Sequence, residues 1–135
     1  TLANGTLAIG AGGEPIVNNA SNTFTGMTVN GTINFNANFA TIRFKDGLTL
    51  NGTFNLTSPG SRIIVDNTLT IGGAAAIQLD SPSSGNPSRI DVEGATTLTL
   101  APTVLVEATY GLVGESEFTG GTSKTISAIR SLISL

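Results

Sequence analysis

The groups in this chain that could do chemistry are few. The carboxylates number nine: Glu14, Asp46, Asp66, Asp80, Asp91, Glu93, Glu107, Glu115 and Glu117. Hydrolysis of sugars by paired carboxylates needs two of them held several ångströms apart across one bond. Asp91 and Glu93 flank Val92 on a predicted strand, so both are expected on its outer side. Calcium wants about six to eight oxygens, and the Gly/Asp-rich nonapeptides that supply them in repeat proteins are missing. There is no His and no Cys, which closes off Ser–His triads, thiolate chemistry, disulfides and the usual zinc sites. Gly10, Gly12 and Gly13 form a glycine run with no helix behind it, so it is not a phosphate loop. Arg43, Lys45 and Arg62 could make a small basic patch; with Asp46 and Asp66 beside them, a mixed solvated face is the plainer reading. Thr28, Thr49 and Thr70 recur in one row, a flat hydroxyl face that could meet polysaccharide or ice. The expectation is no enzyme, no cofactor and no metal.

These residues are positioned by a repeat. Lines of 21 residues begin at Gly31, Gly52, Gly73 and Gly94. In that frame Met27, Leu48, Leu69 and Ile90 share a column. Val29, Leu50, Ile71, Val92 and Val113 share another, and Phe35, Leu56, Ile77 and Leu98 a third. The row Thr28, Thr49, Thr70, Asp91 lies between the first two. A fixed period of this length is the mark of a solenoid. Stacked one line above the next, apolar columns become internal ladders and glycine columns become corners. Ile42 and Phe44, then Ile63 and Val65, supply a further inward strand in each line.

The predicted fold is therefore all-β, a parallel β-helix (solenoid) of about five 21-residue coils, with a solenoid domain over 1–124 and a cap or assembly segment over 125–135. The alternative is an antiparallel β-sandwich, because Asn30-Gly31 and Asn51-Gly52 between alternating segments are strong hairpin signals. The stretch 81–89, with its prolines and glycine, reads as a loop bulging from the stack. Ile126, Ile129, Leu132 and Ile133 in the last segment fit helical spacing, and a strand fits as well. Either would cover the final coil or dock it on a partner.

Composition narrows the class. Only 11% of residues are charged, against roughly 25% in an average globular domain. A net charge of −3 with scattered basic residues gives no nucleic-acid footprint. No apolar run reaches the roughly 18 residues of a membrane span. Asn4, Asn19, Asn30, Asn51 and Asn55 stand in N-x-S/T triplets that could carry glycans, but turn chemistry is the preferred reading.

Residues 22–33, NTFTGMTVNGTI, resemble the autotransporter-associated β-strand repeat of bacterial surface proteins. The resemblance implies a parallel β-helix in a secreted or surface-displayed passenger, often an adhesin. It brings no functional residues with it. The expected function is a structural or adhesive module of a bacterial cell-surface or extracellular protein, self-associating end to end or stacking on neighbouring coils of a longer chain. A glycan- or ice-binding solenoid comes second, and a polysaccharide-degrading β-helix enzyme third.

Overall fold

A computed structural model describes residues 1–116, 125–127 and 130–133. Among the described residues thirteen strands join in one sheet, and every pairing between them is parallel. They are β1 (Leu2–Ala3), β2 (Thr6–Ala8), β3 (Ile16–Val17), β4 (Asn22–Phe35), β5 (Thr41–Leu56), β6 (Arg62–Val65), β7 (Leu69–Gly72), β8 (Ala75–Asp80), β9 (Ser88–Val92), β10 (Thr97–Leu100), β11 (Val104–Glu115), β12 (Thr125–Ser127) and β13 (Arg130–Ile133). The antiparallel alternative is thereby overturned. Asn30-Gly31 and Asn51-Gly52 lie inside the long strands β4 and β5 and pair with each other in register. A glycine at positive φ (Gly31, φ 122) bends the strand there without returning it as a hairpin.

Pairing follows three ladders. The first joins β2, β4, β5, β7, β10 and β12; the second joins β3, β4, β5, β8, β11 and β13; the third joins β1, β4, β5, β6, β9 and β11. Alternation within each strand sends every second side chain into one shared core. Val29, Leu50 and Ile71 are fully buried on the first ladder, Phe35, Phe54 and Ile77 on the second, Ile42, Ile63 and Ile90 on the third. Phe44 of the third ladder stacks on Phe54 of the second, with centroids 5.7 Å apart and rings 9° from parallel. That contact ties the two ladders together through the interior.

The repeat is not of constant length. From β4 to β5 the step is 20 residues over Asn22–Thr25 and, past a register shift, 21 from Met27 on, as in Asn30 to Asn51. From β5 to β7 and β8 it is 23, as in Asn51 to Ala74. From β6 to β9 it is 27, as in Ser61 to Ser88. From β7 to β10 and β8 to β11 it is mostly 29, as in Thr68 to Thr97. The expected columns are therefore corrected beyond β5. Leu48 pairs with Ile71, not Leu69; Leu56 with Leu79, not Ile77; Leu69 with Leu98, not Ile90. The inward assignments survive because the lengthenings from 21 to 23, 27 and 29 residues are even, while the one-residue changes fall at the register shifts between Thr25 and Met27 and between Ala108 and Tyr110. A slip of one residue turns a strand inside out; a slip of two does not.

In the last segment, β12 pairs with β10 and β13 with β11, so Ile126, Leu132 and Ile133 stand on strands, and the helical reading falls there. Ile129 lies outside the described residues. No helix among the described residues is long and apolar enough to cross a membrane.

Candidate functional site

Seven charged side chains, those of Arg43, Lys45, Arg62, Asp66, Arg89, Asp91 and Glu93, gather on the outer side of the third ladder. Register sets Thr41, Arg62 and Arg89 in one row, and Arg43, Ile64 and Asp91 in the next. Lys45, Asp66 and Glu93 follow where the strands end. Arg43 Nη1 donates to Glu93 Oε2 at 2.6 Å and to Asp66 Oδ2 at 3.0 Å; Lys45 Nζ lies 3.5 Å from the same Asp66 oxygen. The hydrogen bond to Glu93 raises the Arg43 pKa most, burial pulls against it, and Asp66 adds to the rise. The Lys45–Asp66 pair was legible from the repeat. The reach of Arg43 across three strands was not.

Beside this half-exposed network lies a buried one. Arg89 Nε donates to Asp91 Oδ1 at 2.8 Å, and Arg62 Nη1 sits 3.6 Å from Asp91 Oδ2. The Asp91 side chain is 1% exposed and that of Arg62 8%. This corrects the expected column, since Asp91 leaves the threonine row for the third ladder; it emerges on the outer side of its strand as its alternation requires, but is buried there. Ile64, its strand neighbour on the same side, is buried too. A carboxylate this deep is held by the guanidiniums around it.

Arg62 and Arg89 also line a cleft of about 100 Å³ with Phe39, Gly60, Gly85, Asn86 and Pro87. Its wall is the loop 81–87, inserted where the step lengthens to 27 residues. Hydrogen bonds fix that loop. Ser81 Oγ donates to the Asn86 carbonyl (2.7 Å), Asn86 N donates to the Ser83 carbonyl (3.2 Å), and Gly60 N donates to the Asn86 carbonyl (2.9 Å). Sequence reasoning missed Arg89, Phe39 and Asn86. The signal available was the loop itself, since insertions in a repeat array cluster on functional faces.

The threonine row is partly assembled. Thr28 and Thr49 pair in register. Opposite Thr49, however, stands Gly72, while Thr70 pairs with Thr99. The cause is the 66–70 corner, which is longer than its counterpart at 45–47 and pushes Thr70 along the strand. Gly72 stands at an open depression of about 340 Å³ lined by Thr28, Thr49, Thr70, Asp46, Met27, Leu48 and three glycines. Asp46, expected beside the basic patch, instead stands at this depression and accepts a hydrogen bond from Asn67 Nδ2 at 2.9 Å.

Two other carboxylates, Glu14 and Asp80, have partners of their own away from this face. Glu14 accepts from Asn34 and Asp80 from Thr109. Among the described residues no group of acidic side chains could hold a metal ion. The chain matches no family model, no curated protein and no solved structure in the comparisons made.

Proposed function

We propose that this chain is a rigid parallel β-helical module, structural or adhesive in role, of a bacterial cell-surface or extracellular protein. The observation that supports this best is the set of three parallel ladders sharing one apolar core. Such an arrangement can be lengthened by adding strands at either end of each ladder, and it offers broad, sparsely charged faces for contact. The resemblance of residues 22–33 to the autotransporter-associated repeat supports the surface location. Self-association would run along the ladders, with Ile126, Ile129, Leu132 and Ile133 as the assembly residues of the 125–135 segment.

Sedimentation velocity and electron microscopy over a concentration series test this reading. Growth into unbranched stacks, altered by deletion of 125–135, is the expected result. A chain that stays monomeric throughout, and that adheres to no glycan- or matrix-coated surface, would refute it. Turnover of a polysaccharide would refute the non-enzymatic reading. A second reading, glycan binding at the depression of Thr28, Thr49 and Thr70, is favoured by its size, which falls in the range of about 300–1,000 Å³ usual for ligand sites. The gap at Gly72 weighs against ice, which needs an unbroken row.

A further inference from the structure

We propose that the depression at Asp46 binds a glycan through an amino sugar, with the ammonium of a hexosamine seated on the Asp46 carboxylate. This rests on the reading of that depression as a glycan site, and adds the class of sugar. Three features of the depression point there. The first is free hydrogen-bonding capacity. Among the described residues the hydroxyls of Thr28, Thr49 and Thr70 have no partner, and the Asp46 carboxylate has one, the Asn67 amide on Oδ1 at 2.9 Å. Asp46 Oδ2 is therefore open to a ligand. Each threonine hydroxyl can both donate and accept, as the hydroxyls of a sugar do.

The second feature is charge. Among the residues lining the depression Asp46 alone is charged, and among the described residues it forms no ion pair. Lys45, next to it in the chain, lies 3.5 Å from Asp66, and Arg43 joins Asp66 and Glu93. Those two cations and two anions balance one another, so the charge of Asp46 is left uncompensated. A carboxylate among neutral hydroxyls favours an ammonium, because a charge-assisted hydrogen bond is about twice as strong as a neutral one. The same charge repels an acidic sugar.

The third feature is the backbone. Thr25 pairs with Lys45 and Met27 with Leu48, so two residues, Asp46 and Gly47, stand opposite Gly26 alone. This is a bulge, a device that re-aims a side chain and recurs beside functional sites. Asp46 has φ 58 and Gly47 φ 89, a left-handed region that aspartate and glycine enter more readily than most residues. The hydrogen bond from Asn67 then fixes the carboxylate before any ligand arrives. Beside it, Gly72 stands in register with Thr49, and a Cβ built on Gly72 meets nothing within 4 Å. A sugar ring has room there, where any larger side chain would stand.

The test is isothermal titration of the full chain at about pH 6, where carboxylate and ammonium are both charged. The ligands are a glucosamine trisaccharide, its fully N-acetylated counterpart, trigalacturonate and ethanolamine. Saturable binding of the glucosamine trisaccharide, at least tenfold tighter than each of the others and weakened by added salt, is expected. Asp46→Asn removes the charge and keeps a residue suited to the left-handed backbone. It should lower affinity at least tenfold and erase the preference over the N-acetylated sugar. Gly72→Leu fills the depression at a position with no left-handed strain and should abolish binding with the circular dichroism of the parent retained; it decides the matter should Asp46→Asn fail to fold. Equal binding of the N-acetylated trisaccharide, lost in Gly72→Leu, would overturn the amino-sugar assignment and leave the glycan site standing. Binding of neither trisaccharide would overturn both. Ethanolamine or trigalacturonate binding as tightly as the glucosamine trisaccharide, or unchanged affinity in either variant, would overturn the proposal.

Discussion

Gly73 carries the sharpest test of the stacked geometry. Its φ is 95, and a Cβ built on it would lie 2.2 Å from the Leu50 carbonyl oxygen and 2.8 Å from Asn51 Oδ1. The first of these atoms is backbone of the neighbouring strand, so it cannot swing aside. Gly94 provides the control: φ is 65 and nothing lies within 4 Å of its Cβ position. Gly94→Ala therefore carries only the left-handed penalty, about 1–2 kcal/mol. Gly73→Ala carries that penalty and must also push the strands apart. Two hydrogen bonds cross at this point, Gly52 N to the Ala74 carbonyl at 3.2 Å and Ala74 N to Asn51 Oδ1 at 3.3 Å. At about 0.5–1.5 kcal/mol each, their loss brings the total to about 2–5 kcal/mol. With a urea slope of about 2 kcal/mol per molar, the midpoint should fall by about 1–2.5 M for Gly73→Ala and about 0.5–1 M for Gly94→Ala. Equilibrium urea unfolding followed by circular dichroism reads both. Coincident midpoints for the two variants would refute the packing of the Gly73 corner against β5.

Other substitutions probe the core and the charged face. Leu50→Ala, at a fully buried site, should destabilise by about 2–5 kcal/mol, and Thr49→Ala, exposed beside it, by under about 0.5 kcal/mol; a urea melt separates them. Asp91→Ala removes the buried carboxylate that Arg62 and Arg89 contact and should lower stability by about 3–5 kcal/mol, whereas Asp66→Asn, in the half-exposed network, should fall within about 1 kcal/mol. The raised Arg43 pKa means that its stabilising charge is fully present below the ordinary arginine value and is lost only as pH climbs through the still higher folded value. The stability gap between the parent and Arg43→Gln should therefore stay level from about pH 7 to pH 10 in urea melts, since arginine stays protonated there; a gap that closes across that window would contradict it.

The sequence by itself determined the strand class, the inward residues and the outward partners of the regular part. Ile42, Phe44, Ile63 and Val65 are all fully buried as their alternation requires, because a pleated strand leaves no other choice of side. Asn30 with Asn51 (2.9 Å) and Asn34 with Asn55 (2.8 Å) stack as the period demands. Only the tertiary structure decided the pairing beyond β5. The lengths of the corner at 66–70 and the loop at 81–87 fix which residue stands beside which, and even changes in length leave the hydrophobic alternation untouched. The period therefore could not reveal that Gly72 breaks the threonine row. Nor could it reveal that Asp91 is buried. Alternation gives the side of the strand on which a carboxylate emerges, and Asp91 does emerge on the outer side, but what covers that side comes from residues distant in sequence. Arg62 and Arg89 stand in register with each other across β6 and β9, 27 residues apart. A fixed 21-residue frame places them out of line, and only the inserted loop brings the two guanidiniums onto one carboxylate.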